Sequence, residues 1–206
     1  MKLFFDVDGV LIKGFSQNPL LHYSWNETID ADLGIDREKL QKLFFQKRFD
    51  DVIIGKADLE TEMAAFLSEI NSTVKAKTVI AYWLEKDAII NEYVFDWIEN
   101  SFLPKHNLYV ATNQEKNRAN YLWHGLKFCN VFSDIFYSAD IGYSKNQPEF
   151  FLNVRNRTGF KPEECLIIDD SESVINTALA CNWNAVLFTG EESLNKVEEI
   201  SSGRIH

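Results

Sequence analysis

Residues 1–14 read MKLFFDVDGVLIKG. An apolar run ends in Asp6, Val7 and Asp8, and Gly9 follows at once, so two carboxylates stand at the end of a segment otherwise suited to burial. Together with KLFFDV at 2–7, four later runs share this β-rich character: NLYVAT at 107–112, DIFYSA at 134–139, CLIIDD at 165–170 and NAVLF at 184–188. Largely apolar runs without polar alternation predict strands covered on both faces, as in a parallel sheet between helices. The intervening segments carry helical spacing. Ile90, Tyr93, Val94, Trp97, Ile98 and Phe102 step by three and four, and Ala119, Leu122 and Leu126 continue a stretch that follows Asn113. Pro148 opens another helix through Phe151 and Val154 towards a stop at Gly159. Ser171 and Glu172 open a further one, which is expected to carry Val174, Ile175, Ala178 and Leu179 inward. The fold class is therefore α/β, with β-α-β units forming one right-handed parallel sheet.

Between the first strand and the second lie roughly residues 15–88, far more than one crossover needs and almost free of strand-like runs. Residues 1–14 and 89–206 are expected to form the α/β core, and 15–88 a small helical cap inserted after the first strand. Within the insertion, Leu40, Leu43 and Phe44 mark a helix after Asp36. Leu59, Met63, Phe66, Leu67 and Ile70 mark another after Asp58, and Val79, Tyr82 and Trp83 suggest a third. The end of the chain, GEESLNKVEEISSGRIH, reads as a solvated terminal helix with a frayed end.

The chain has 206 residues, 46% of them hydrophobic, enough for one core with a substantial insertion. Its formal charge of −10 argues against a general nucleic-acid or anionic-membrane surface. Cys129, Cys165 and Cys181 are odd in number and far apart, with no zinc-ligand spacing. No apolar run is long enough for a membrane span, and a reducing cytoplasm is the expected compartment. Charge and length leave the oligomeric state open.

In an open parallel sheet, functional groups gather past the carboxyl ends of the strands. Those ends supply Asp6 and Asp8, then Thr112 and Asn113, then Lys145 beyond the third strand, and Asp169 and Asp170. Taken singly each has an ordinary explanation: an Asp begins a turn, a Thr-Asn pair caps a helix, a Lys is solvated. Together they place up to four carboxylates and one ammonium in one crevice. Each like-charge pair at about 4 Å costs on the order of 4 kcal/mol at an effective dielectric near 20, so a further cation is required. Oxygen donors without His or Cys point to a hard divalent ion, for which Mg²⁺ is the expectation. The Thr112 hydroxyl, backbone N–H groups near Val7, Asp8 and Asn113, and the Lys145 ammonium suit a phosphate group. Phosphoryl transfer depends mainly on this kind of positioning and neutralisation.

DVDGV at 6–10, Thr112 in VATNQ, Lys145 ahead of PEFF, and LIIDDSESV at 166–174 resemble, in order and spacing, the four motifs of the haloacid dehalogenase-like hydrolases. The likeness covers nearly the whole chain and extends to the cap, which resembles the subfamily I type inserted after the first motif. It implies a Rossmann-like core and a Mg²⁺-dependent phosphatase. Asp6 would be the nucleophile that forms an aspartyl-phosphate, and Asp8 the acid and then the base. Thr112 and Lys145 would hold the transferring oxygens. Asp6, the backbone carbonyl of Asp8, and Asp170 would bind the metal, with Asp169 acting through water or behind the ligands. The dehalogenases of the family need no metal and lack the second Asp of the first motif, so they resemble this chain less. A phosphomutase, which passes the phosphoryl group to a sugar hydroxyl, and a non-hydrolytic phospho-acceptor or binding protein remain alternatives.

One departure stands out. Relatives commonly carry Lys-Pro in the third motif, whereas Asn146 follows Lys145 here, and greater backbone freedom is expected beside the lysine; Lys161 is the runner-up for its role. Substrate choice falls to the cap, where Phe15, His22, Trp25, Arg48 and Phe49 are candidates to face the site. His106 and His124 read as structural or exposed. A covered site implies a small phosphorylated metabolite as partner rather than a phosphoprotein.

Overall fold

The computed structural model describes residues 1–14, 16, 22–101 and 107–202. Phe15, Phe102, His106 and the last four residues lie outside this set. Five strands form one wholly parallel sheet: β1 (Lys2–Phe5), β4 (Leu108–Thr112), β5 (Asp134–Tyr137), β6 (Cys165–Asp169) and β7 (Asn184–Leu187). Their order across the sheet is β5-β4-β1-β6-β7. The first strand is thus the middle one, with Leu3 opposite Leu108 on one side and Leu166 on the other. A short antiparallel ribbon pairs β2 (Ile12–Lys13) with β3 (Ile89–Ile90) beside the sheet.

Burial on both faces explains the unbroken apolar strands. Leu3, Phe5, Val110, Leu166 and Ile168 face one cluster, while Phe4, Tyr109, Ala111 and Ile167 face another. The two edge strands are less covered, and Asp134 on β5 is exposed. The helices are, in chain order, α1 (Ile29–Leu33), α2 (Arg37–Lys39), α3 (Phe49–Ile53), α4 (Leu59–Glu69), α5 (Ala76–Lys86), α6 (Glu92–Asn100), α7 (Lys116–Asn120), α8 (Ser138–Ile141), α9 (Pro148–Thr158), α10 (Glu172–Ala180) and α11 (Ser193–Ser201). Wider π-type turns prolong α2 through Leu40–Phe45 and α7 through Tyr121–Gly125. Val94 and Ile98 of α6, Leu122, and Leu194 and Val197 of α11 cover the first face; α8, α9 and α10 cover the second. Helices α1 to α5 enclose a cluster of their own around Ile29, Phe44, Met63, Phe66 and Val79. Among the described residues no helix is long and apolar enough to cross a membrane.

Three expectations change. Ile90 belongs to the ribbon, not to α6, and Tyr93 is exposed on that helix. Leu179 is 51% exposed, because Val174 and Ala178 already form the stripe that rides on the sheet and the next residue turns about 100° away. The terminal helix is solvated on one face only, since Leu194 and Val197 are fully buried.

Candidate active site

Past the carboxyl end of β1 the chain folds back within five residues. Val7 accepts backbone bonds from Val10 and Ile12, and Gly9 takes a φ of +79°, a left-handed conformation that glycine adopts without strain. A Cβ on Gly9 would also stand 2.5 Å from Asp170 Oδ2, so the absence of a side chain lets the fourth motif approach the first. Asp6 is held from both sides. Its backbone N–H donates to Ile168 O, and its Oδ1 accepts from the Val7 N–H at 2.7 Å and faces the Lys145 ammonium at 2.6 Å.

Lys145 is 1% exposed and bridges two carboxylates, with its Nζ 2.6 Å from Asp6 Oδ1 and 2.6 Å from Asp169 Oδ2. Burial opposes its charge, but Asp169 and Asp6 hold it above the ordinary lysine value. Burial first, and then Asp169, push the Asp6 carboxyl well above the usual range, with Lys145 pulling the other way. The missing proline is offset by hydrogen bonds. The Lys145 N–H donates to Asn113 Oδ1 at 2.8 Å, and Asn146 Nδ2 donates to Ser173 Oγ at 2.7 Å, which ties the loop from both sides. Lys161 is exposed at the start of a short turn after α9, remote from these groups in its contacts.

Asp6, Asp169 and Asp170 offer carboxylate oxygens that all lie within 4.8 Å of one another. Asp169 is already engaged, since its Oδ1 accepts the Ser171 N–H and its Oδ2 the lysine; Asp170 Oδ2 accepts Ser16 Oγ at 2.6 Å. The donor set is all oxygen and carries three negative charges against one buried ammonium, which fits a hard divalent cation. Thr112 closes β4 on the neighbouring side. Its Oγ1 is buried and has no hydrogen-bond partner among the described residues, a costly state for a hydroxyl unless a ligand meets it.

Asp8 points away from this group. Its Oδ2 accepts from Arg118 Nη1 at 2.7 Å and Gln114 Nε2 at 2.5 Å, and its Oδ1 accepts from Arg118 Nη2 at 2.8 Å. Arg118 in turn reaches Asp87, at the end of α5, through both the carbonyl at 3.0 Å and the carboxylate at 3.1 Å. Burial, opposed by Arg118, pushes Asp87 up to about 7. None of Gln114, Arg118 and Asp87 was expected from the sequence. Arginine in a helical stretch normally reads as solvent-facing, and no local spacing links it to Asp8.

A cavity of about 940 Å³ opens beside Asp8 between the sheet ends and the inserted helices. His22, Trp25 and Phe49 line it as anticipated, and Phe45 and Trp83 join them. Trp25 stacks on Trp83 at 5.7 Å, and Phe45 and Phe49 set their edges against Trp83, so the wall is aromatic. Arg48 is not part of it. Its guanidinium pairs with Glu62 and Glu69 and braces α3 against α4. His124 is exposed.

A parallel α/β core with an acidic crevice at its strand ends and an inserted helical layer defines a class of hydrolase folds. The model of the haloacid dehalogenase-like hydrolases matches residues 3–182, and the chain belongs to that family. No curated protein sequence matches it. Among solved structures, a HAD family enzyme of Bacteroides thetaiotaomicron, crystallised as a magnesium complex, is 19% identical with a TM-score of 0.72, over 95% of this chain and 97% of its own. A predicted HAD-like hydrolase of Porphyromonas gingivalis is 22% identical with a TM-score of 0.74, over 96% of both chains. A 2-haloacid dehalogenase of Pseudomonas syringae is 15% identical with a TM-score of 0.66, over 98% of both.

Proposed function

We propose that this hydrolase is a Mg²⁺-dependent phosphatase that cleaves a small phosphate monoester through an aspartyl-phosphate on Asp6. The observation that carries the reading is the buried Lys145 between Asp6 and Asp169, together with the buried Thr112 hydroxyl, which has no hydrogen-bond partner among the described residues. Both bonds to Asp6 fall on Oδ1, which leaves Oδ2 for attack on phosphorus. The Lys145 ammonium and the Thr112 hydroxyl then meet the phosphoryl oxygens, with Asn113 lending its backbone N–H and fixing the lysine loop through its side chain. As the P–O bond breaks, the leaving oxygen takes a proton from Asp8; water next attacks the phospho-aspartate and returns a proton to Asp8.

Asp6, Asp170 and the Asp8 carbonyl would hold Mg²⁺, and Asp169, with both oxygens already occupied, would act from behind them. Bound there, the ion would supply neutralisation of the phosphoryl charge. The Bacteroides neighbour has also been crystallised with magnesium and inorganic phosphate, which supports the same pairing here. Residues 15–88 serve as the cap in this reading, and the cavity beneath it sets the substrate at metabolite size. Asp8 and Asp170 favour a phosphatase over a dehalogenase.

The test is phosphate release from p-nitrophenyl phosphate and a panel of phosphorylated metabolites, with Mg²⁺ and with EDTA. Turnover is expected only with Mg²⁺ and is lost in Asp6→Asn; undiminished turnover in that variant would overturn the nucleophile. Transfer of phosphate to an added sugar instead of water would replace the phosphatase by a mutase.

A further inference from the structure

Arg118 is 3% exposed, and the two terminal nitrogens of its guanidinium meet two carboxylates from different parts of the chain. A simple structural ion pair would need only one of them. The planar fork fixes the plane of the Asp8 carboxylate through two parallel bonds, something a lysine cannot do. Asp8 Oδ2 takes two donors and Oδ1 only one, so the grip anchors the group through Oδ2 and leaves a lone pair on Oδ1. Gly14 keeps the space beside that oxygen clear, since a Cβ there would come within 2.9 Å of Oδ1. On its other side, Arg118 holds the last turn of α5 through Asp87, and Asp87 Oδ2 also accepts from Trp83 Nε1 at 3.0 Å. Trp83 stands in the aromatic wall of the cavity. An unbroken series of contacts therefore runs from the place where a leaving group would lie to the group that would protonate it.

We propose that Arg118 is the positioning residue for Asp8, fixing its carboxyl group through Oδ2 against the end of the cap so that Oδ1 faces the leaving oxygen. The inference rests on the phosphatase reading and deepens it. Among the described residues the Arg118 side chain bonds to Asp8 and Asp87 and to none of Asp6, Asp169 and Asp170, so its action on the reaction runs through Asp8.

The test compares kcat/KM for an alkyl phosphate, whose alkoxide needs a proton to leave, with that for p-nitrophenyl phosphate, whose phenolate does not. This ratio reports the steps up to the first bond cleavage and excludes the later hydrolysis. In Arg118→Lys, kcat/KM is expected to fall about 30-fold on the alkyl ester and less than about threefold on the aryl ester. Asp8→Asn shows the same bias more strongly, and Arg118→Lys adds little on top of it, because the two act as one unit. Asp87→Asn, nearly isosteric, removes the carboxylate charge from the far side of the guanidinium while the bond to the backbone carbonyl stays, and gives a smaller loss with the same bias; it decides the matter alone if circular dichroism shows that Arg118→Lys is misfolded. An equal loss on both esters, in whichever variant folds, overturns the positioning role and leaves the phosphatase standing. Wild-type protein that hydrolyses neither ester removes both.

Discussion

Thr112 ends β4 with a buried hydroxyl that finds no hydrogen-bond partner among the described residues, and such a group costs folding energy for which a ligand compensates. Thr112→Val is expected to leave unfolding free energy in urea within about 1 kcal/mol of wild type or above it. The same change should weaken inorganic phosphate binding, followed by calorimetry, about 10- to 100-fold, the worth of a hydrogen bond to a charged group. Equal affinity in the two proteins would take Thr112 out of the site. That Thr112, Asp6 and Lys145 gather at one end of the sheet was legible, because Thr112 and Asp6 stand at or just past strand ends and Lys145 lies in the loop after β5 and α8, where the topology of a parallel sheet collects side chains. Arg118 was not, because its meaning lies in a contact with Asp8 across 110 positions of sequence. Gln114 and Asp87 were hidden for the same reason. The Arg48 side chain shows the converse: an arginine on an inserted helix invites a substrate role, yet two glutamates on the next helix claim it.

The helices whose ends carry local chemistry match their sequence signals closely. Asp58 accepts the Thr61 N–H at the start of α4, Pro148 opens α9, and Gly159 closes it with a φ of +72°. Where the decisive fact was which neighbour lies beneath, the reading was weaker. The acidic tail looked solvated because charge dominates its composition, whereas Leu194 and Val197 dock α11 on the sheet. Leu194→Ala is expected to cost about 2–5 kcal/mol of stability, measured by urea unfolding, while a surface helix would lose almost nothing. The last turn of α5 carries a second testable burden. Asp87 rises from its ordinary 3.8 to about 7 in the fold, so it favours the protonated state there. Its contribution is fully present below about pH 4 and is lost as pH climbs through 7, a change of up to about 4 kcal/mol. Asp87→Asn should flatten the stability profile between those limits, and an unaltered slope would show that other groups set it.

Over the whole molecule, a formal charge of −10 and a three-carboxylate cluster make cation binding a matter of global stability as well as chemistry. An ion that binds only the folded state adds about 2.7 kcal/mol at a hundredfold excess over its Kd. For a chain of this length the melting temperature should then rise by about 5–10 °C with Mg²⁺. The rise should vanish with EDTA or in Asp170→Asn, and a rise that survives in the variant would locate binding elsewhere. The alternation of strands and helices was legible in the sequence, but the order β5-β4-β1-β6-β7 and the β2–β3 ribbon depend on long-range pairing that no local pattern encodes. That ribbon has a consequence for how such a molecule is assembled. Ile12 faces Ile90 and Lys13 faces Ile89, so the chain leaves the sheet and returns to it at adjoining points. Everything between them is a cassette: joining Lys13 to Ile89 by an Asn-Gly turn would close an ordinary hairpin and leave the five-stranded core uninterrupted. A graft at this junction has to resupply Gly14, Ser16 and Asp87, which meet Asp8, Asp170 and Arg118 from within the excised stretch.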